Sequence, residues 1–185
     1  MEFKIIDKNL EGLYTEILRR IRRLQSGGTL DSLKAIGADT RNQIGASYVS
    51  LKELSTHYEA NEPLALLLWD TRKREEQIMA CLLLPTTTNK EKITQLAQTC
   101  LNHEIAGYLG SLYLYKHPEL PLLASAWCDT EQPYQQTALL SALARHLLIY
   151  KENSKVSETF FQSLIERNYK DKFVQLTVER YRFNI

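Results

Sequence analysis

Two kinds of residue in this chain have chemistry to offer: the run Asn102-His103-Glu104, and arginines gathered in tight groups. A histidine beside a glutamate supplies an acid and a base, but adjacent residues on a helix point in different directions, so the pair is a weak catalytic signal. Asn102 stands just before an apolar helical run, where its side-chain oxygen suits a helix cap, and the cap is the favoured reading. Arg19, Arg20, Arg22 and Arg23 fall opposite the apolar stripe of the first helical pattern and make one basic band. Such a band suits phosphate contact without sequence choice, or else a solvated face partly paired with Glu16. Lys170, Lys172, Arg180 and Arg182 form a second basic group, for which solvation is the commoner explanation. Three cysteines, an odd number in apolar contexts, argue against a disulfide scaffold and for a reducing cytoplasm. The four histidines are scattered and no Cys/His cluster has zinc-like spacing, so neither metal nor cofactor is expected.

The elements that must position these residues are helical. The chain has 185 residues, enough for one domain with a substantial core, and a formal net charge of +1, so any attraction to phosphate has to be local. It has no apolar run long enough to span a bilayer and opens with no basic-then-apolar leader, so no membrane partner is expected. Leu10, Leu13, Tyr14, Ile17, Leu18, Ile21 and Leu24 keep the i, i+3, i+4 rule over four turns, with Gly27-Gly28 as the stop. A short segment follows around Leu30, Leu33 and Ile36, and Gly37 to Gly45 reads as loop or a weak turn. Ser50-Leu51-Lys52-Glu53 fits a capping box leading to Leu54 and Tyr58.

Pro63 opens a helix carrying Leu64, Leu67 and Leu68, and across the charged corner Trp69–Glu76 a second helix resumes with Ile78, Cys81, Leu82 and Leu84. Further helices carry Ile93, Leu96, Ala97 and Cys100, and then Ile105, Leu109, Leu112 and Tyr113 up to Lys116-His117-Pro118. Two of Tyr108, Tyr113 and Tyr115 are expected in the core. Trp127-Cys128-Asp129-Thr130 makes a second corner like the first, before a helix from about Gln132 to Tyr150. Phe160, Phe161, Leu164 and Ile165, then Phe173, Val174, Leu176 and Val178, complete the apolar pattern. Trp69 and Trp127 read as core, Asp70 and Thr71 as caps, and Arg74 with Glu75 as a pair between helices. No stretch alternates as a strand would. The expectation is an all-α chain of about ten helices, residues 1–185 forming a single curved solenoid of antiparallel helix pairs with a concave binding face.

Leu68-Trp69-Asp70 followed by Arg74-Glu75, then Leu109-Gly110 and Lys116-His117-Pro118-Glu119-Leu120, and later Trp127 with Tyr134 and Gln136, resemble the DNA alkylation repair enzymes. These are DNA glycosylases built from HEAT-like helical repeats, and the likeness runs in order from about residue 35 to the end. The resemblance implies helices that curl around duplex DNA, and alkylated purines with a cationic, labile glycosidic bond as substrates. It also implies an aspartate and two tryptophans that stabilise the cationic sugar, without full extrusion of the base.

Carried over residue by residue on the Leu109-Gly110 anchor, the resemblance places the catalytic aspartate at Asn102 and an aromatic position at Gln98. The second tryptophan falls near Arg180, and a phosphate-holding arginine at Thr137. Residues 89–109 hold no Asp or Trp at all. Asparagine keeps the shape of aspartate without its charge, and losing one such electrostatic partner costs about 3 kcal/mol or more in the barrier. The leading expectation is therefore a binder of duplex or alkylated DNA, weak or inactive as a glycosylase. Asn102, Gln98 and Glu104 mark its centre, with Arg19, Arg20, Arg22, Arg23, Arg180 and Arg182 on the backbone. The alternatives are a non-catalytic adaptor that binds another protein, and a chain in which Glu104 replaces the missing charge.

Overall fold

A computed structural model describes residues 7–35 and 39–182. These form eleven α-helices, one π-helical turn and two 3-10 turns, with no strand among the described residues. The chain is all-α, as its periodicity predicts. Its contacts gather into two compact units, 1–85 and 86–185.

The first unit holds α1 (Lys8–Arg23), α2 (Gly27–Ala35), α3 (Tyr48–Ser55), α4 (Glu62–Asp70) and α5 (Arg74–Leu83). Ile17 and Ile21 put the stripe of α1 against α4 and α5, fully buried, and each such side chain contributes about 2 kcal/mol. Helix α4 starts as the sequence suggests. Asn61 caps it by accepting the Leu64 N–H at 2.9 Å, and Pro63 sits in the first turn where no backbone donor is needed. Thr71–Lys73 then turn the chain into α5, with Arg72 in the left-handed region (φ 56°). Trp69 is buried, and Thr71 caps the helix end by donating its hydroxyl to the Leu68 carbonyl at 2.8 Å.

Glu75, fully buried at the start of α5, organises the loop before α3. Its carboxylate accepts the N–H groups of Ile44 and Ala46, each at 3.2 Å, and meets the Arg74 guanidinium at 3.3 Å. Arg74 also donates to the Ala46 carbonyl at 3.1 Å. The pair expected between helices is a clamp on residues 44–46. Gly45 is held there at φ +74°, where an added Cβ would stand 2.8 Å from the Ser26 carbonyl oxygen.

Two expected boundaries move. Gly27-Gly28 do not stop α1, which ends at Arg23; they begin α2, because the Ser26 hydroxyl accepts the Thr29 N–H and starts a new turn. The cap of α3 is Ser47, three residues before the expected capping box: Ser47 Oγ accepts the Ser50 N–H at 3.0 Å. The loop pinned by Glu75 delivers the chain to the helix at that point. Ile36 and Gly37 lie outside the described residues.

The second unit holds α6 (Lys90–Gln98), α7 (His103–Tyr108), the π turn Leu109–Tyr113, a 3-10 turn Leu114–Lys116, α8 (Leu120–Trp127), α9 (Pro133–Tyr150), a 3-10 turn Lys151–Asn153, α10 (Glu158–Ile165) and α11 (Lys172–Arg182). Helix α9 is the hub, packed by α6, α7, the π turn, α8, α10 and α11. At the π turn the backbones meet at Gly110: a Cβ there would run into the Ala138 carbonyl oxygen and lie 2.8 Å from Ser141 Cβ. Only glycine permits that approach.

The tyrosine expectation is corrected, since Tyr113 is fully buried while Tyr108 and Tyr115 are only partly covered. The last apolar pattern also splits. Val174 and Val178 are buried, whereas Phe173 and Leu176 stay 57% and 50% exposed. Their side of α11 borders an open groove.

Candidate functional site

The groove lies within the second unit, between α7, α9 and α11, and encloses about 820 Å³. Asn102, His103, Glu104 and Tyr108 come from the α7 side, Tyr134 and Thr137 from the start of α9, and Asp171, Phe173, Arg180 and Tyr181 from α11 and its cap. Four rings, two carboxylates and one guanidinium thus face one space.

His103 is its junction. Its Nδ1 lies 2.9 Å from Thr137 Oγ1, and its Nε2 lies 3.4 Å from Asp171 Oδ1. The imidazole stacks on Phe173 at 5.0 Å between centroids and meets the edge of Tyr134 at 4.9 Å. Burial pushes its pKa below the ordinary range near 6.5, against the opposing pull of Asp171. The ring is therefore neutral at pH 7, and it serves as a spacer that sets the carboxylate and the rings in place. Asp171 is held from its other side by α11, accepting the Phe173 N–H at 2.8 Å and the Val174 N–H at 3.1 Å.

The other two histidines of this unit do different work. His117 Nδ1 accepts the Glu119 N–H at 3.2 Å while Nε2 stands 3.1 Å from the Thr88 carbonyl, so Nε2 carries the proton and the ring joins two stretches of backbone. His146 repeats the device: Nε2 accepts the Lys155 N–H, and Nδ1 faces the Tyr115 carbonyl. A backbone donor on one nitrogen leaves no room for a second ring proton. His103 faces a hydroxyl and a carboxylate instead, and keeps both neighbours in either protonation state.

Asn102 caps α7, accepting the Ile105 N–H at 3.0 Å. Glu104 lines the groove and is exposed, whereas Gln98, exposed at the end of α6, is not part of the lining. Arg180 borders this groove and a second trough of about 1010 Å³ that also carries Arg145, Lys151, Glu152 and Glu158. Arg182 donates through Nε at 2.8 Å and through Nη2 to the Ile165 carbonyl, and so caps the end of α10. In the first unit Arg19, Arg22 and Arg23 are exposed, while Arg20 pairs with Glu16 at 2.7 Å and lies over the Tyr58 ring.

Cys128 is no nucleophile. Its thiol donates to the Ser125 carbonyl, and burial together with Asp129 pushes its pKa up. Sequence reading did not foresee the grouping of His103 with Thr137 and Asp171, which stand 34 and 68 residues away. The one available signal was an aspartate directly before the apolar run of α11, and it points to a cap, not to a groove.

A helix-only chain built from hairpins, with a groove of aromatic and charged side chains on one unit, defines a helical binding protein. The model of a family described as DNA alkylation repair enzyme matches residues 17–178, and the chain belongs to that family. No curated protein and no solved structure gives a significant match.

Proposed function

We propose that this chain binds duplex DNA, alkylated DNA included, and has little or no glycosylase chemistry at Asn102. The observation that carries the second part is the use made of that residue. Asn102 is uncharged, its amide oxygen is spent on the Ile105 N–H, and the neighbouring aromatic position of the family falls on Gln98, outside the groove. The family's connection with DNA repair, with Arg19, Arg22 and Arg23 exposed along one helix, supports DNA as the partner. Three thiols without disulfides suit a cytoplasmic setting. The adaptor reading draws on Leu148 and Ile149, 64% and 49% exposed near the end of α9.

The test combines release of methylated purine from alkylated duplex with duplex binding across a salt series. Binding should weaken steeply with salt, and Arg19, Arg22 and Arg23 changed together to Ala should lower the log–log salt slope by about 2 to 3. Asn102→Asp, which keeps the cap and adds the charge, should raise release at least about tenfold. Absence of both binding and release would move the assignment to a protein-binding adaptor.

A further inference from the structure

The groove is poorly made for a phosphate backbone. Glu104 and Asp171 outnumber Arg180, the one guanidinium in its lining, and His103 adds no positive charge at pH 7. Its surface instead suits a flat cation, because aromatic faces and carboxylates both attract positive charge, most strongly where water is partly excluded. Phe173 leaves 57% of itself open although His103 already stacks on it, and Tyr134 stands beside that stack. An exposed phenylalanine is an odd surface residue unless something flat lies on it. Asp171 is ideally braced for such a guest. Two backbone N–H groups and His103 fix its carboxylate, yet its side chain stays 29% exposed.

We propose that this groove takes a positively charged N-methylated purine base, swung out of the stack, with its ring on Phe173 and Tyr134 and its charge facing Asp171 and Glu104. This rests on the reading of the chain as a binder of alkylated DNA, and it assigns the lesion to the groove and the backbone to surfaces outside it. A damaged base is the least costly to turn out of a duplex, since its pairing and stacking are already weakened.

Free nucleosides separate the two readings, because they carry no phosphate. Calorimetric titration of the full chain should show 7-methylguanosine binding about tenfold more tightly than guanosine. Asp171→Asn keeps an acceptor for the two N–H groups and should cut that preference to about twofold. Phe173→Leu, on an exposed position that the fold does not need, should weaken both nucleosides several-fold. Equal affinity for the two nucleosides, no binding of either, or a preference untouched by Asp171→Asn would overturn the proposal. If duplex binding persists in those cases, the DNA reading stands without it; if duplex binding is absent too, both fall.

Discussion

The corner after Trp69 and the corner after Trp127 are built from the same local bonds. In each, the threonine hydroxyl accepts the N–H two residues on: Lys73 at 3.3 Å for Thr71, Gln132 at 3.2 Å for Thr130. In each, a glutamine six residues after the threonine returns to a backbone carbonyl, Gln77 to Trp69 at 3.1 Å and Gln136 to Thr130 at 2.6 Å. Their ion pairs differ. The first corner leads into the Arg74–Glu75 clamp, with its carboxylate wholly buried. The second is tied by Arg167 to Asp129 at 3.0 Å and by Lys170 to Glu131 at 2.9 Å, all exposed, and these ties reach the loop that ends at Asp171. One signature therefore serves a sealed joint in the first unit and an open, groove-bordering one in the second.

That contrast breaks most visibly at Glu75. Glu75→Ala should cost about 4 kcal/mol in urea denaturation, because it strands Arg74 and two backbone donors; a loss under about 1 kcal/mol would mean the clamp holds nothing. Acid should separate the two units by sign. Burial lowers the pKa of His117, so the unfolded chain takes that proton first. Stability from His117 is complete above about 6.5 and falls as pH drops below it, by at most about 1.4 kcal/mol per pH unit.

Burial raises the pKa of Glu76, whose charged form is costly in the first unit, and lowering the pH toward that raised value relieves the cost. Amide exchange between pH 7 and 5 should quicken in residues 86–185 before residues 39–85, and the reverse order would contradict both assignments. Thr71→Val and Thr130→Val should each lose about 1 kcal/mol by thermal melting, so that unequal losses would show the corners to differ locally as well. Arg167→Ala, at a solvent-screened pair, should shift stability by about 0.5 kcal/mol or less.

The helices and both tryptophan corners were legible in the chain because apolar spacing and local caps are short-range signals. Asn102 as a cap and Arg74 with Glu75 as a pair were readable for the same reason. Three things were not. The true cap of α3 depends on a loop pinned by Glu75 from 29 residues away. The exposure of Phe173 and Leu176 follows from the groove beside α11, although their period matches that of core residues. The groove itself joins residues from three helices, and nothing within a window of ten residues marks His103 and Asp171 as neighbours.

The π turn at Leu109–Tyr113 has a consequence for how this chain can vary. A π turn holds one residue more than the α-helical path, and here it carries Gly110 into the backbone of α9 and Ser111 onto the groove wall. Deleting a single residue from it would restore an ordinary helix and rotate everything beyond by about 100°. Tyr113 would swing out of the interior, and Gly110 would lose its place against Ala138. Substitutions can accumulate along this stretch one at a time, but a change of length cannot, so its residue count is inherited more strictly than its residue identities.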